Sequence, residues 1–282
     1  MGRMRVALVY ERLREEESQI LRAMERLGVE GVLLHLPSNH YRLEARASEA
    51  DVALIRTMSH TNSVASSEIL SNRGLKCVNS PEVIRVCGDK LLTSLKLISS
   101  GIPTPKTAVA FSPEGALRAA KEIGFPVVVK PVNGSWGRLV SLARDEEELR
   151  SIIEHREAIG SPYYRIHYIQ EYIEKPDRDI RAYGTDKEFI TAIYRISNHW
   201  ITNTARGARV EPVRATEDLR DLVLRTCEAL GGGFLGIDIV EDRERGLMVL
   251  EANAVTEFKN AARATGVDIA GELVRYAVSR CS

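Results

Sequence analysis

The chain has few cysteines and no excess of either charge. Four cysteines occur in 282 residues, at Cys77, Cys87, Cys227 and Cys281, and no two form a CxxC pair. Their scatter predicts no disulfide framework and, with no histidine cluster nearby, no zinc site. Cys77 and Cys227 sit in apolar surroundings and are expected to be small core residues. Lys+Arg and Asp+Glu stand at 39 each. A neutral chain offers no general electrostatic attraction to nucleic acid or an anionic membrane, so neither is expected as a partner. No apolar run is long enough to span a bilayer. The opening MGRMRVALVYERL has too short an apolar stretch for a secretory signal, and acidic residues follow at once. The expected location is the cytoplasm.

A chain of this length can bury a large core and hold two or three small domains. Arg5 to Tyr10, Gly31 to Leu36 and Asp51 to Arg56 read as buried strands. A helix with Ile20, Leu21, Met24 and Leu27 on one face lies between the first two and stops at Gly28. This order predicts a small α/β layer with a mostly parallel sheet. Ligands of such sheets sit beyond the carboxyl ends of the strands. Arg56, Thr57, Ser59 and His60 follow the third strand and suit a carboxylate; they equally suit a polar loop capped by Ser59 or Thr61. Ser80-Pro81-Glu82 opens a later helix. Lys90 begins a stretch whose Leu91, Leu92, Leu95 and Ile98 predict an apolar helical face. A boundary is expected near 99–105.

Ser112 to Ile123 predicts a capped amphipathic helix, and FPVVVKP, residues 125–131, a buried strand ending in Lys130. An amine there must find an anion or solvent. The following Asn133 to Arg138, NGSWGR, lets backbone N–H groups approach a ligand. Strand, lysine and glycine-bearing loop suit a phosphate, although the GKS or GKT ending of a P-loop is missing. The charges of Asp145 to Glu157 are expected to face solvent, and residues 196–209 to form a polar loop. Phe234 to Asn260 contains two apolar runs around a charged turn at Asp242 to Arg245, a hairpin pattern. Asp238 and Glu251 lie on its strands, with Asn253 two residues after Glu251 and on the same face. Three oxygen-bearing side chains at one end of a hairpin suit Mg²⁺ completed by substrate phosphates; they also suit an ordinary exposed strand end.

Taken together and in order, FPVVVKP, NGSWGR, QEYIEKPDRDIRAY, HWITNTARG, GIDI and EANAVTEFKN resemble the ATP-grasp ligases, and within them the RimK/LysX group of amino-acid ligases. The resemblance covers nearly the whole chain. It implies an α/β (α+β) ATP-grasp fold with an N-terminal α/β domain over 1–98, a central subdomain over 99–174 and a C-terminal subdomain over 175–282. ATP and Mg²⁺ are the implied cofactors. It places Lys90 and Lys130 on the phosphates and the loop from Gly134 to Val140, with Ser135, Trp136, Gly137 and Arg138, over them. It places adenine on Gln170, Glu171, Tyr172 and Ile173 and the ribose near Asp179. Arg195 and Asn203 would face the acyl phosphate and the amino acid, and Asp238, Glu251 and Asn253 would ligate Mg²⁺.

HWITNTARG and EFKN are most similar to the members that join α-aminoadipate, through its α-amine, to the C-terminal glutamate side chain of a small acidic carrier protein in lysine biosynthesis. Sister members use glutamate, for arginine biosynthesis, or both, and the resemblance equally allows a RimK-like ligase that adds glutamate to a protein tail. In the group, Asn followed by Thr or Ala after EFK marks the aminoadipate type and Gly-Phe the glutamate type; here the pair is Asn260-Ala261. Thr256 departs from the expected pattern. The resemblance also implies a homodimer or homotetramer. An acidic carrier implies basic docking residues, with Arg42, Arg46, Arg56, Arg206 and Arg209 as candidates.

Overall fold

A computed structural model describes residues 3–46, 50–134, 138–202 and 207–281. Three sheets organise the described chain. The first holds β1 (Arg5–Tyr10), β2 (Glu30–His35), β3 (Val52–Arg56) and β4 (Lys76–Val78) in the order β2-β1-β3-β4. Every pairing in it is parallel, as the strand and helix order predicted. Helices α1 (Glu15–Arg26), α2 (His60–Asn72) and α3 (Pro81–Cys87) connect its strands and lead out of it. Ser59 and Ser80 cap α2 and α3, each accepting from a backbone N–H three residues on.

Next comes α4 (Lys90–Ser99). Its expected apolar face is not the buried one. Thr93, Ser94 and Leu97 are buried, while Leu95 and Ile98 are each 55% exposed. The inward polar groups are satisfied: Thr93 Oγ1 donates to Val86 O at 2.8 Å, and Ser94 shares a hydrogen bond with the Tyr168 hydroxyl at 2.8 Å. Hydrogen-bonded polar side chains can be buried at little cost, so the partner elements rather than the leucines set the orientation.

The second sheet is antiparallel, in the order β5-β8-β6-β7, from β5 (Thr107–Ala110), β6 (Val127–Lys130), β7 (Ser141–Ala143) and β8 (His167–Glu171). Helices α5 (Pro113–Ile123) and α6 (Glu146–Ala158) cover it with Ala116, Ala120, Leu149 and Ile153. Arg156 of α6 departs from the expected solvated face. It is buried, donates to Ile166 O at 3.2 Å and lies over the Tyr164 ring.

The third sheet runs β11-β10-β9-β12-β13, from β9 (Arg178–Gly184), β10 (Phe189–Ile196), β11 (Arg209–Pro212), β12 (Leu235–Asp242) and β13 (Gly246–Asn253). The expected loop over 196–209 thus ends in a strand, whose Val210 pairs with Arg195. Helix α7 (Glu217–Ala229) buries Leu219, Leu222, Val223 and Cys227 against this sheet. That stripe has helical spacing, and each large side chain contributes about 1.5–3 kcal/mol by burial. Helices α8 (Lys259–Thr265) and α9 (Ile269–Ser279) close the chain. Ile269, Leu273, Val274 and Ala277 share one core with Val6, Leu8, Ile20 and Leu54, so the last helix packs on the first sheet. No described helix is long and apolar enough to cross a membrane.

Candidate active site

Strand pairing on the third sheet builds the centre of the site. In antiparallel register Asp238 lies opposite both Arg181 on β9 and Glu251 on β13, and Asp179 lies opposite Arg195 on β10. Directly opposed residues share a face, so these five charges stand on one side of the sheet. The other side carries Ile180, Ala182, Ala192, Ile237 and Ile239 into the core with α7. A register shift between Asp238 and Ile239 leaves Leu250 as an extra residue on β13. Such a bulge re-aims the side chain beside it, here Glu251.

The charges are tightly paired. Arg195 donates to both oxygens of Asp179 at 2.7 and 2.8 Å and reaches Asp238 Oδ1 at 3.2 Å. Arg181 donates to the same Asp238 oxygen at 2.5 Å and to Thr256 Oγ1 at 2.7 Å. Burial alone would raise the Asp238 carboxyl, but Arg181 and Arg195 outweigh it and hold the group at about 2. Burial would lower Arg195, yet Asp238 and Asp179 raise it above the usual arginine range. Both stay charged at neutral pH.

The two lysines approach from other elements. Lys90 is the first residue of α4, after the cap Asp89. Its N–H donates to Val132 O at 2.8 Å, and Asp89 bridges to Asn133, so the start of α4 is fastened to the segment after β6. Lys90 Nζ donates to Gly134 O at 2.8 Å and stands 4.0 Å from Glu251. Lys130, at the end of β6, donates to Gln170 Oε1 at 2.6 Å. Burial pushes its ammonium down to about 8; Glu251 and Asp238 oppose this and Lys90 adds to it.

Two cavities meet here. One, of about 140 Å³, is lined by Val128, Ile173, Tyr172, Trp200, Val240 and Leu250, with Lys130, Gln170 and Lys175 among them. The other, of about 390 Å³, runs past Arg14, His60, Asn253, Lys259 and Asn260. Lys90, Gly134, Arg195, Asp238 and Glu251 line both. A smaller, largely apolar slot therefore joins a larger, more polar chamber through a gate of two carboxylates and two cations.

The donor chemistry suits a hard cation. Glu251 lies within hydrogen-bonding reach of Asp238, and like charges so close favour a cation between them. Among the described residues no group of three His, Cys, Asp or Glu side chains could hold a metal alone. Two carboxylates, the Asn253 side chain on the same cavity wall and phosphate oxygens would complete an oxygen set for Mg²⁺.

Other expected residues are placed as follows. Arg138, Gln170, Glu171, Tyr172, Ile173 and Asp179 line the smaller cavity. The peptide N–H groups of Glu171 and Tyr172 already donate to Lys106 O and Pro126 O at 2.8 and 3.3 Å. They are not the donors that a base would use. His60 lines the larger cavity, packed so closely on Gly88 that a Cβ there would lie 1.8 Å from the imidazole. Arg56 does not line it: the side chain is buried against Glu17 at 3.3 Å and donates to Thr256 O at 2.8 Å. A guanidinium so enclosed is also no surface docking residue. Ser59 serves as the cap of α2, and Ala261 is fully buried in the core beside the cavity wall. Ser135, Trp136, Gly137, Asn203 and Arg206 lie outside the described residues.

The residue pattern does not single out Arg14, Arg181, Lys175, Glu257 or Lys259, and it marks Thr256 only as a departure from the family pattern. For Arg181 a signal existed, because it alternates with Asp179 along one strand and must share its face. Arg14 had none, since 238 lies far from 14 in sequence and only the packing of the sheets brings the two to one cavity.

Comparison with known proteins identifies the family. The RimK-like ATP-grasp domain matches residues 87–277, and the LysX preATP-grasp domain matches residues 6–86. The chain belongs to the RimK-like ATP-grasp family. It is 39% identical over 275 residues to the alpha-aminoadipate–LysW ligase LysX of Sulfurisphaera tokodaii, covering 96% of each chain. It is 38% identical over 275 residues to the glutamate–LysW ligase ArgX of Sulfolobus acidocaldarius, covering 97% of this chain and 98% of that one. A RimK domain ATP-grasp protein of Sphaerobacter thermophilus has a similar structure, with a TM-score of 0.81 at 27% identity over 97% of this chain and 99% of that chain. The ATP-grasp ligase PsnB, solved with a minimal precursor, Mg and ADP, has a TM-score of 0.75 at 18% identity over 100% of this chain and 99% of that one, a likeness of fold alone.

Proposed function

We propose that the protein is an ATP-dependent, ADP-forming ligase that joins the α-amino group of α-aminoadipate to the C-terminal glutamate side chain of a small acidic, LysW-like carrier protein. The meeting of the two cavities at Lys90, Arg195, Asp238 and Glu251 carries this reading. ATP fits with its base in the apolar slot and its phosphates at the gate. The carrier carboxylate and the amino acid enter through the polar chamber. Carboxylate oxygen is a poor leaving group; phosphorylation by ATP supplies a good one, and the amine then displaces phosphate to form the amide. The chain's part is to position the reactants and neutralise charge. Lys90 and Lys130 hold phosphate oxygens, and Arg195, locked by Asp179, offers a fixed cation at the junction. Mg²⁺, held by Asp238, Glu251 and Asn253, would neutralise the transferring phosphate.

Glutamate is the second reading for the amino acid, because relatives of both names match to the same degree. The Asn260-Ala261 pair after EFK favours aminoadipate, and Asn260 lies on the cavity wall. Adding both amino acids in competition, with carrier, ATP and Mg²⁺, decides between them. ADP release should require carrier and amino acid together, and Lys130→Ala should abolish it. Release that needs neither acceptor would overturn the reading. A cytoplasmic location, assembly as a homodimer or homotetramer and the units 1–98, 99–174 and 175–282 belong to the same proposal.

A further inference from the structure

We infer that Glu17, on the first turn of α1, is a positioning residue for the amino-acid end of the larger cavity. The inference rests on the ligase reading above. Glu17 is fully buried. Its Oε2 accepts from the Arg14 peptide N–H at 3.0 Å and from Arg14 Nε at 2.9 Å. Its Oε1 accepts from Arg14 Nη2 at 2.9 Å and from Arg56 Nε at 3.3 Å. Each guanidinium then reaches the same distant segment. Arg56 Nη1 donates to Thr256 O at 2.8 Å, and Arg14 Nη1 to Glu257 Oε1 at 3.3 Å. Thr256 and Glu257 line the larger cavity, with Lys259 and Asn260 immediately after them.

A carboxylate that merely capped α1 would need only the local Arg14 N–H. The contact with Arg56, 39 residues away, has no part in capping. Arg56 Nη2 has no hydrogen-bond partner among the described groups, so Glu17 and the Thr256 carbonyl, together with the Phe258 ring that the guanidinium overlies at 5.5 Å, orient that buried fork. The segment is held from its other side by Arg181 on Thr256 Oγ1 and by the Tyr183 hydroxyl on Glu257 O at 2.8 Å. Glu17 therefore sets the position of the wall that faces the amino acid, while touching neither the apolar slot nor the lysines.

The test is steady-state kinetics of Glu17→Gln, which keeps the shape and removes the charge. The KM for the preferred amino acid should rise by about tenfold or more, with the KM for ATP changed by less than about twofold. Glu17→Asp, which restores the charge on a shorter stem, should recover part of the loss. Should Glu17→Gln fail to fold, Arg56→Lys carries the same expectation, because an ammonium cannot bridge Glu17 and the Thr256 carbonyl as a fork does. A folded variant whose amino-acid KM is unmoved, whatever its melting temperature, overturns the inference alone. A wild-type protein that releases no ADP with either amino acid overturns both the inference and the ligase reading.

Discussion

Arg195 grips both oxygens of Asp179 and still reaches Asp238, so one buried guanidinium ties the wall of the smaller cavity to the carboxylates where the two cavities meet. Asp179→Asn removes one charge of this set. Breaking a buried pair leaves an uncompensated charge, and the remaining Asp238 contact limits the loss, so a destabilisation of about 3 kcal/mol is expected. Urea unfolding measures it. A midpoint equal to wild type would show that Asp238 alone suffices for Arg195.

If Lys130 holds a phosphate as proposed, nucleotide binding should depend on pH. Its ammonium is held down to about 8 from an ordinary 10.5 because it is buried. A lowered lysine disfavours the charged form in the folded state. The resulting penalty is complete below the folded value and fades as pH rises towards the unfolded one, so this group alone makes stability rise with pH between about 8 and 10.5. A phosphate beside the amine reverses the shift. Titration calorimetry of ATP at pH 8.5, in buffers of different ionisation enthalpy, should therefore show proton uptake that Lys130→Met loses. Heats independent of buffer in the wild type would contradict this.

The carboxylates of the gate predict a metal requirement. Chelation of Mg²⁺ should abolish ADP release. Glu251→Gln should raise the Mg²⁺ concentration for half-maximal turnover by about tenfold or more, since lesser changes around metal ligands already cost that much. An unaltered Mg²⁺ dependence would remove Glu251 from the site.

Ala261 tests how closed the wall behind the chamber is. It is fully buried among Phe258, Ile269 and Leu273. Ala261→Phe overfills that core and should lower stability by about 1–3 kcal/mol. Calorimetric melting reads the loss; a melting temperature at the wild-type value would mean that α8 moves aside freely.

Much of the fold was legible from local pattern. Parallel strands around amphipathic helices, the serine caps before α2, α3 and α5, and the hairpin around Asp242 to Arg245 all follow from periodicity and short-range chemistry. Lys130 declared itself as a charge at the end of an apolar run, and Asp238 as a carboxylate inside one. The leucines of α4 misled, because periodicity names an apolar face without saying what packs against the helix. Arg56 misled in the same way: its place at the end of β3 suited a ligand, and Glu17 occupies it.

The sequence by itself determined most of the strands and helices, because those choices rest on neighbours within a turn or two; the short strands β5, β7 and β11 and the helix α8 carried no such signal. Only the tertiary structure decided the site. The row from Glu251 through Asp238 to Arg181 needs the register of three strands and a bulge at Leu250. The junction of Arg14 with residues 256–260 needs α1 to lie against the far end of the chain. Strand register and sheet packing are settled by contacts between residues distant in sequence, and no local pattern carries that information.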